Sequence, residues 1–200
     1  MNYSELQTAL NSWAIRSESA DDLQTLIELA EGKFKRNIRH REMEAEADIT
    51  ADAQSESLPA GFIAVRHIYI DGSPKKALTY TPKGNLFGIW AGSTSGKPDV
   101  YSISGGNILF GPSPDASYTV KLGYYEWDAL SDSNTSNWLL ASYPDVYLQA
   151  ALAEMYRFVQ DPEKAAYYDT LVMVAIDELN TASLDDEIGS APIEIRSEYQ

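Results

Sequence analysis

The sequence predicts an α+β fold: a helical bundle with an inserted small antiparallel β domain and an extended C-terminal arm. Three observations predict it. Apolar residues recur at helical spacing near both ends of the chain, from about residue 4 to 46 and again from 137 to 181. Between them, residues 62–127 turn β-branched and aromatic, in short runs separated by turn residues. The last stretch, SLDDEIGSAPIEIRSEYQ, holds a Gly, a Pro and one short alternation, so it reads as an arm. The expected boundaries are residues 1–50 and 132–182 for the helical core, 58–131 for the β domain and 183–200 for the arm.

Each element has a local cause. Ser4 and Gln7 form a Ser-x-x-Gln capping box around Leu6, with Leu10 and Trp13 following, which gives a first helix over about 4–16. Ser19 and Asp22 repeat the signal, and Leu23, Ile27, Ala30 and Phe34 supply a second stripe. Nothing between Lys33 and Glu46 breaks it, so this second helix is expected to run to about 46. Residues 48–61 are polar and carry Pro59 and Gly61, a loop. Strands are expected at 62–70 (FIAVRHIYI, before Asp71-Gly72), 77–81, 98–104, 107–110 and 117–126, with Gly105-Gly106 and residues 111–115 as turns. That spacing is an antiparallel meander, with no helix long enough for a parallel crossover. SNTSNWLLAS is a short turn, after which Pro144 opens a helix with the stripe Leu148, Leu152, Met155, Val159. Asp161-Pro162-Glu163 starts the last helix, over about 162–181. Its apolar residues (Tyr168, Leu171, Val172, Ala175, Ile176, Leu179) occupy more than one face, which points to contacts beyond its own core.

Composition narrows the function. The apolar fraction of 44% fills a core, and no run approaches a membrane span. MNYSELQTALNSW has neither the basic start nor the apolar centre of a signal peptide. With no cysteine, disulfides, thiolate metal sites and a cysteine nucleophile are excluded, and two histidines cannot build a multi-histidine site. No strand–Gly-x-Ser-x-Gly–helix context supports a serine triad. The net charge of −15 repels nucleic acid from the molecule as a whole.

Several local patterns invite a chemical reading and fail on mechanism. GSTSGKP at 92–98 superficially resembles a phosphate-binding loop, but Gly92 and Gly96 enclose too few residues and Pro98 stands where a magnesium-binding hydroxyl belongs. Asp128, Asp132 and Asn134 lack calcium-loop spacing, a central Gly and a closing Glu. Asp185-Asp186-Glu187 reads as solvated tail. The aromatic groups Tyr143, Tyr147, Tyr156 and Tyr124, Tyr125, Trp127 read as core and interface residues before sugar or base platforms. No acid pair among the 30 Asp and Glu sits in a catalytic setting, so no enzyme, cofactor or metal is expected.

Lys33, Lys35, Arg36, Arg39 and Arg41 concentrate positive charge in nine residues. Three readings stand: a solvated helix face paired locally through Arg39–Glu42 and Arg41–Glu44, a docking patch for another subunit or an acidic partner, or a DNA contact. The charge balance favours the first.

The order of elements and the residues within it resemble the head-to-tail adaptor, or connector, proteins of short-tailed bacteriophages. The resemblance rests on LPAGF (58–62), on Lys97-Pro98 leading into VYSISGGNILFGPSPDASYTVKLGYYE, and on AEGKFKRNIRHREMEAEADI (30–49). Its most specific part is NWLLASYPDVYLQAALAEMYRFVQDPEKAAYYDTLVMVAIDELN (137–180); the first helix and the arm stand outside it. What the resemblance implies is a structural virion protein of the neck, present in the host cytoplasm before assembly; the charge of −15 predicts a free chain that is mostly monomeric. It would form a dodecameric ring between the portal protein and the tail nozzle protein, extending the channel through which genomic DNA passes without specific binding. The arm would reach the portal, so Pro192, Ile193, Ile195 and Arg196 join the basic strip as expected interface residues. The alternatives are another neck or head-completion protein and, from a different class, a carbohydrate- or peptide-binding β module carried on helices.

Overall fold

A computed structural model describes residues 1–90 and 95–188. The fold is α+β, and the chain divides into two compact units: one from Met1–Glu42 together with the chain from Asp128 on, the other Met43–Trp127. No helix among the described residues is long and apolar enough to cross a membrane.

The helical unit begins with α1 (Tyr3–Ala14), capped by Asn2 and Glu5 rather than by the expected Ser4 and Gln7. The Asn2 side chain accepts the Glu5 N–H at 2.9 Å, and Glu5 accepts the Asn2 N–H in return at 2.9 Å. The helix stops at Ile15, which adopts the left-handed conformation. Ser19 caps α2 (Ala20–Asn37), as its spacing to Asp22 predicts. α4 (Trp138–Ser142) is capped by Asn137, α5 (Pro144–Phe158) opens on its proline, and α6 (Pro162–Ile188) starts at Pro162. α5 is the central helix. Val146, Tyr147, Leu148, Ala151, Leu152 and Met155 are all buried, and its alanines let α1, α2, α4 and α6 pack closely around it.

Three expectations about where elements begin and end are overturned. The second helix ends at Asn37, not near 46: Ile38 is fully buried in extended conformation, and a short 3-10 turn over Arg41–Met43 follows. The last helix runs to Ile188, so residues 183–188 are helix and not arm; Ser183 is buried and held there. The polar stretch expected as a loop holds β1 (Glu44–Ala51) and β2 (Ser55–Ser57).

The β unit continues with β3 (Phe62–Ile70), β4 (Lys76–Ala77), β5 (Thr79–Tyr80), α3 (Lys83–Ile89), β6 (Val100–Ser104), β7 (Asn107–Gly111) and β8 (Tyr118–Glu126). It is not a meander. One sheet has the order β1-β8-β3-β4 and the other β2-β7-β6-β5, with β5 and β6 parallel. The last strand of the unit therefore lies at the heart of its sheet, pairing with β1 (Ile49 opposite Val120) and with β3 (Ile68 opposite Leu122). Ile49, Ile70, Ile108, Phe110, Val120 and Leu122, drawn from both sheets, share one core. The β6–β7 hairpin turns on Gly105-Gly106, both at positive φ (62° and 77°), the tight mirror-image turn that only glycine adopts without strain.

Candidate interface surfaces

The basic strip does not form one surface. Lys33 points into the bundle: its ammonium lies 3.3 Å from Glu154 and also binds Asp169, with 13% of its side chain exposed. Arg157 pairs with both acids, so two cations and two carboxylates join α2, α5 and α6. Burial works to raise the Asp169 carboxyl, but hydrogen bonds and charge from Lys33 and Arg157 outweigh it and hold the group below the usual carboxylate range. The hydrogen bond to Glu154 raises the Arg157 guanidinium.

Arg39 is also occupied. Its N–H donates to Asn180 Oδ1 at 2.9 Å, and its guanidinium donates to the carbonyls of Lys35 and Ile38, satisfying acceptors left open at the end of α2. Arg41 donates its N–H to Ser183 Oγ at 3.0 Å and pairs with Asp186 at 3.1 Å, both side chains about half exposed. Of the five strip residues, Lys35 and Arg36 alone stand exposed with no ion-pair partner among the described residues. The expected pairs Arg39–Glu42 and Arg41–Glu44 require a helix that has already ended; Glu44 pairs instead with Arg66 within the β unit, at 3.1 Å. Pro192, Ile193, Ile195 and Arg196 lie outside the described residues.

A buried polar network fixes the frame that carries these charges. Glu31, 1% exposed, accepts the Tyr147 hydroxyl and the Leu130 N–H, each at 2.8 Å. Asn137 donates to Tyr147 Oη and to the Asp128 carbonyl, each at 2.8 Å, while its Oδ1 caps α4. The chain leaving the β unit is thus tied to α2 and α5 by hydrogen bonds sequestered from water, and burial drives the Tyr147 hydroxyl far above the ordinary tyrosine range. Beyond the end of α2, His40 stacks on Trp138 with ring centroids 4.9 Å apart and accepts the Glu42 N–H at Nδ1. Burial lowers its pKa.

Apolar side chains that face solvent mark further candidate surfaces. In the helical unit these are Trp13 and Ile15 at the end of α1, Leu29 and Phe158 on the rim of a groove between α2 and α5, and Tyr167, Met173, Val174 and Leu184 on α6. In the β unit they are Tyr80, Phe87 and Ile89. The apolar residues that the sequence marks on α6 (Tyr168, Leu171, Val172, Ala175, Ile176, Leu179) are buried or half-buried, and the exposed ones are others; Phe87 and Ile89 fell in a stretch assigned no element. Among the described residues no three His, Asp or Glu are grouped to hold a metal ion.

Residues 1–196 match the family model of the SU10 adaptor protein, so the match takes in the first helix and most of the C-terminal segment. The chain belongs to that family, one of phage head-to-tail adaptors. No curated protein matches the chain.

Proposed function

We propose that this SU10-family adaptor works as one copy in a dodecameric ring of the virion neck, joining the portal protein to the tail nozzle protein and extending the DNA channel. The observation that carries the proposal is the family match across nearly the whole chain. The distribution of side chains supports it: the buried network and the Lys33 cluster hold the helical unit together internally, while Lys35, Arg36 and several large apolar residues remain exposed for partners. The role is mechanical and not enzymatic. The free protein is a monomer in the host cytoplasm, because copies carrying −15 each repel one another until the portal supplies complementary surface. Genomic DNA passes without specific binding. Lys35, Arg36 and Arg41 contact neighbouring subunits, and residues 192–196 contact the portal.

Sedimentation of the purified chain with and without portal protein tests this. The expected result is a slow species alone, a shift to the portal fraction on mixing, and rings on the portal in electron micrographs. Removal of the residues after Ile188 is expected to leave the melting temperature unchanged and to weaken the shift. Stable dodecamers of the isolated chain at micromolar concentration would refute the monomer, and no shift with full-length protein would refute the adaptor reading itself.

A further inference from the structure

The ring reading leaves open which surfaces of neighbouring copies meet, and this inference rests on that reading. α6 carries a solvent-facing stripe opposite its buried one. Tyr167, Thr170, Met173, Val174, Asp177 and Leu184 follow each other at helical spacing, all exposed, with Tyr167, Met173, Val174 and Leu184 between 48% and 61% accessible. Single exposed apolar residues need no explanation, but four on one stripe of one helix do.

Two sheets of such α6 surface cannot face each other comfortably. Asp177, Glu178 and Asp185 are exposed without an ion-pair partner among the described residues, so an α6–α6 contact would set acid against acid. The complementary surface is on α2. Leu29, Gly32 and Arg36 lie on one stripe, Leu29 is 53% exposed beside Phe158 at 59%, and Arg36 has no ion-pair partner among the described residues. At Gly32 the surface drops to backbone: a Cβ there would meet only Arg36 Nη1, at 3.5 Å. An apolar stripe interrupted by an acid thus has, on the same unit, a counterpart with an apolar rim, a dent and a base.

The direction also fits. Within one copy α2 and α6 run parallel, since Lys33 binds Asp169, Arg39 binds Asn180 and Arg41 binds Ser183. Pairing Asp177 of one copy with Arg36 of the next keeps that sense and nearly that register, and sets Met173 and Val174, a turn before Asp177, against Gly32, a turn before Arg36. A head-to-tail contact closes into a ring only when it adds no axial rise, and a preserved register adds little. We infer that copies join laterally by a heterologous contact in which the exposed stripe of α6 docks against the Leu29–Gly32–Arg36 face of α2 and Phe158 on the next copy.

The chain has no cysteine, so disulfide trapping starts from a clean background. Arg36→Cys, Asp177→Cys and the double variant would be bound to portal, imaged, oxidised and run on a non-reducing gel. The double variant is expected to give a ladder of multimers, the two single variants mixed to give dimers, and each single variant alone to give monomer. Dimers from Asp177→Cys alone would show an α6–α6 contact and overturn the inference. Rings in the micrographs with no cross-link in any sample would also overturn it, leaving the ring reading intact. Absence of rings with wild-type protein would sink the ring reading and this contact with it.

Discussion

Replacing Tyr147 by Phe removes one oxygen from the centre of the helical unit and tests whether the buried network holds it together. The ring itself loses little, because its edge contact with Phe34, at 5.0 Å between centroids, needs no hydroxyl. What disappears is a donor to Glu31 at 2.8 Å and an acceptor for Asn137 at 2.8 Å. A neutral hydrogen bond contributes about 1 kcal/mol and one to a carboxylate about 1.5–3 kcal/mol, and a buried group deprived of its partner adds its desolvation cost. Asn137 keeps its bond to the Asp128 carbonyl, which limits the second loss. The expected destabilisation is therefore about 2–3 kcal/mol, read as a fall in melting temperature of roughly 4–12 °C. A cycle with Glu31→Gln should show coupling above about 1 kcal/mol, since the two groups touch. Urea denaturation followed by near-UV circular dichroism measures both. A loss below about 0.5 kcal/mol for Tyr147→Phe, or additive losses in the cycle, would mean that the network is not what fixes the frame.

Four further outcomes follow from the same geometry. Ile15 holds a left-handed conformation (φ 54°) at 91% exposure, so Ile15→Gly should raise stability by up to about 1 kcal/mol in thermal denaturation; a loss would mean that the Ile side chain has a partner within the fold. Reversing Lys35 and Arg36 to Glu should move the melting temperature by less than the equivalent of about 1 kcal/mol while reducing capture by portal in sedimentation, and a large fall in melting temperature would show these residues to be buried. His40 titrates below its unfolded value of about 6.5, chiefly through burial, with Arg41 adding to the shift and Glu42 and Asp186 opposing it. Its stabilising contribution is intact above about pH 6.5 and is lost as pH falls towards the folded value, because the unfolded chain takes up the proton first; His40→Gln should remove that part of the pH dependence, and an unchanged profile would refute the assignment. Binding to duplex DNA at about 50 mM salt should be weak by fluorescence anisotropy, since Lys33 and Arg41 are paired within the fold, and sub-micromolar affinity falling steeply with salt would contradict this.

What the sequence revealed and what it hid have the same origin. Pro144 and Asp161-Pro162 announce helix starts because a proline at the first turn loses no hydrogen bond, and Gly105-Gly106 announces a hairpin because no other pair adopts its backbone so readily. These are local causes with local signatures. EAEADITA, by contrast, is built largely from good helix formers, and its alternation of Ala45, Ala47, Ile49 and Ala51 is muted because alanine is barely apolar. It is a strand because β8, far away in sequence, pairs with it along its whole length, from Glu44–Tyr125 to Ala51–Tyr118. The basic strip misleads for the same reason: the partners of Lys33 and Arg41 are Asp169 and Asp186, not the acids that follow in sequence. Exposure of Lys35 and Arg36 on the strip is a property of the packed bundle, and no spacing rule separates them from Lys33.

On the function proposed above, the distribution of acid across the fold would reconcile a monomer in solution with a ring on the portal. Copies carrying −15 each repel at long range, and at about 0.1 M salt that repulsion is screened beyond roughly 10 Å. A pair such as Arg36 with Asp177 acts at contact, where screening has little purchase and neighbouring apolar side chains exclude water. In a portal-templated ring, repulsion would then oppose encounter between free copies, whereas short-range complementarity would decide their stability once the portal had placed them side by side. The apolar residues alone could not produce this order of events: without surplus acid, the stripe on α6 would associate in the cytoplasm as readily as on the portal. In the contact inferred above, Arg36 would answer Asp177 while Met173 and Val174 would supply the apolar surface that offsets the repulsion.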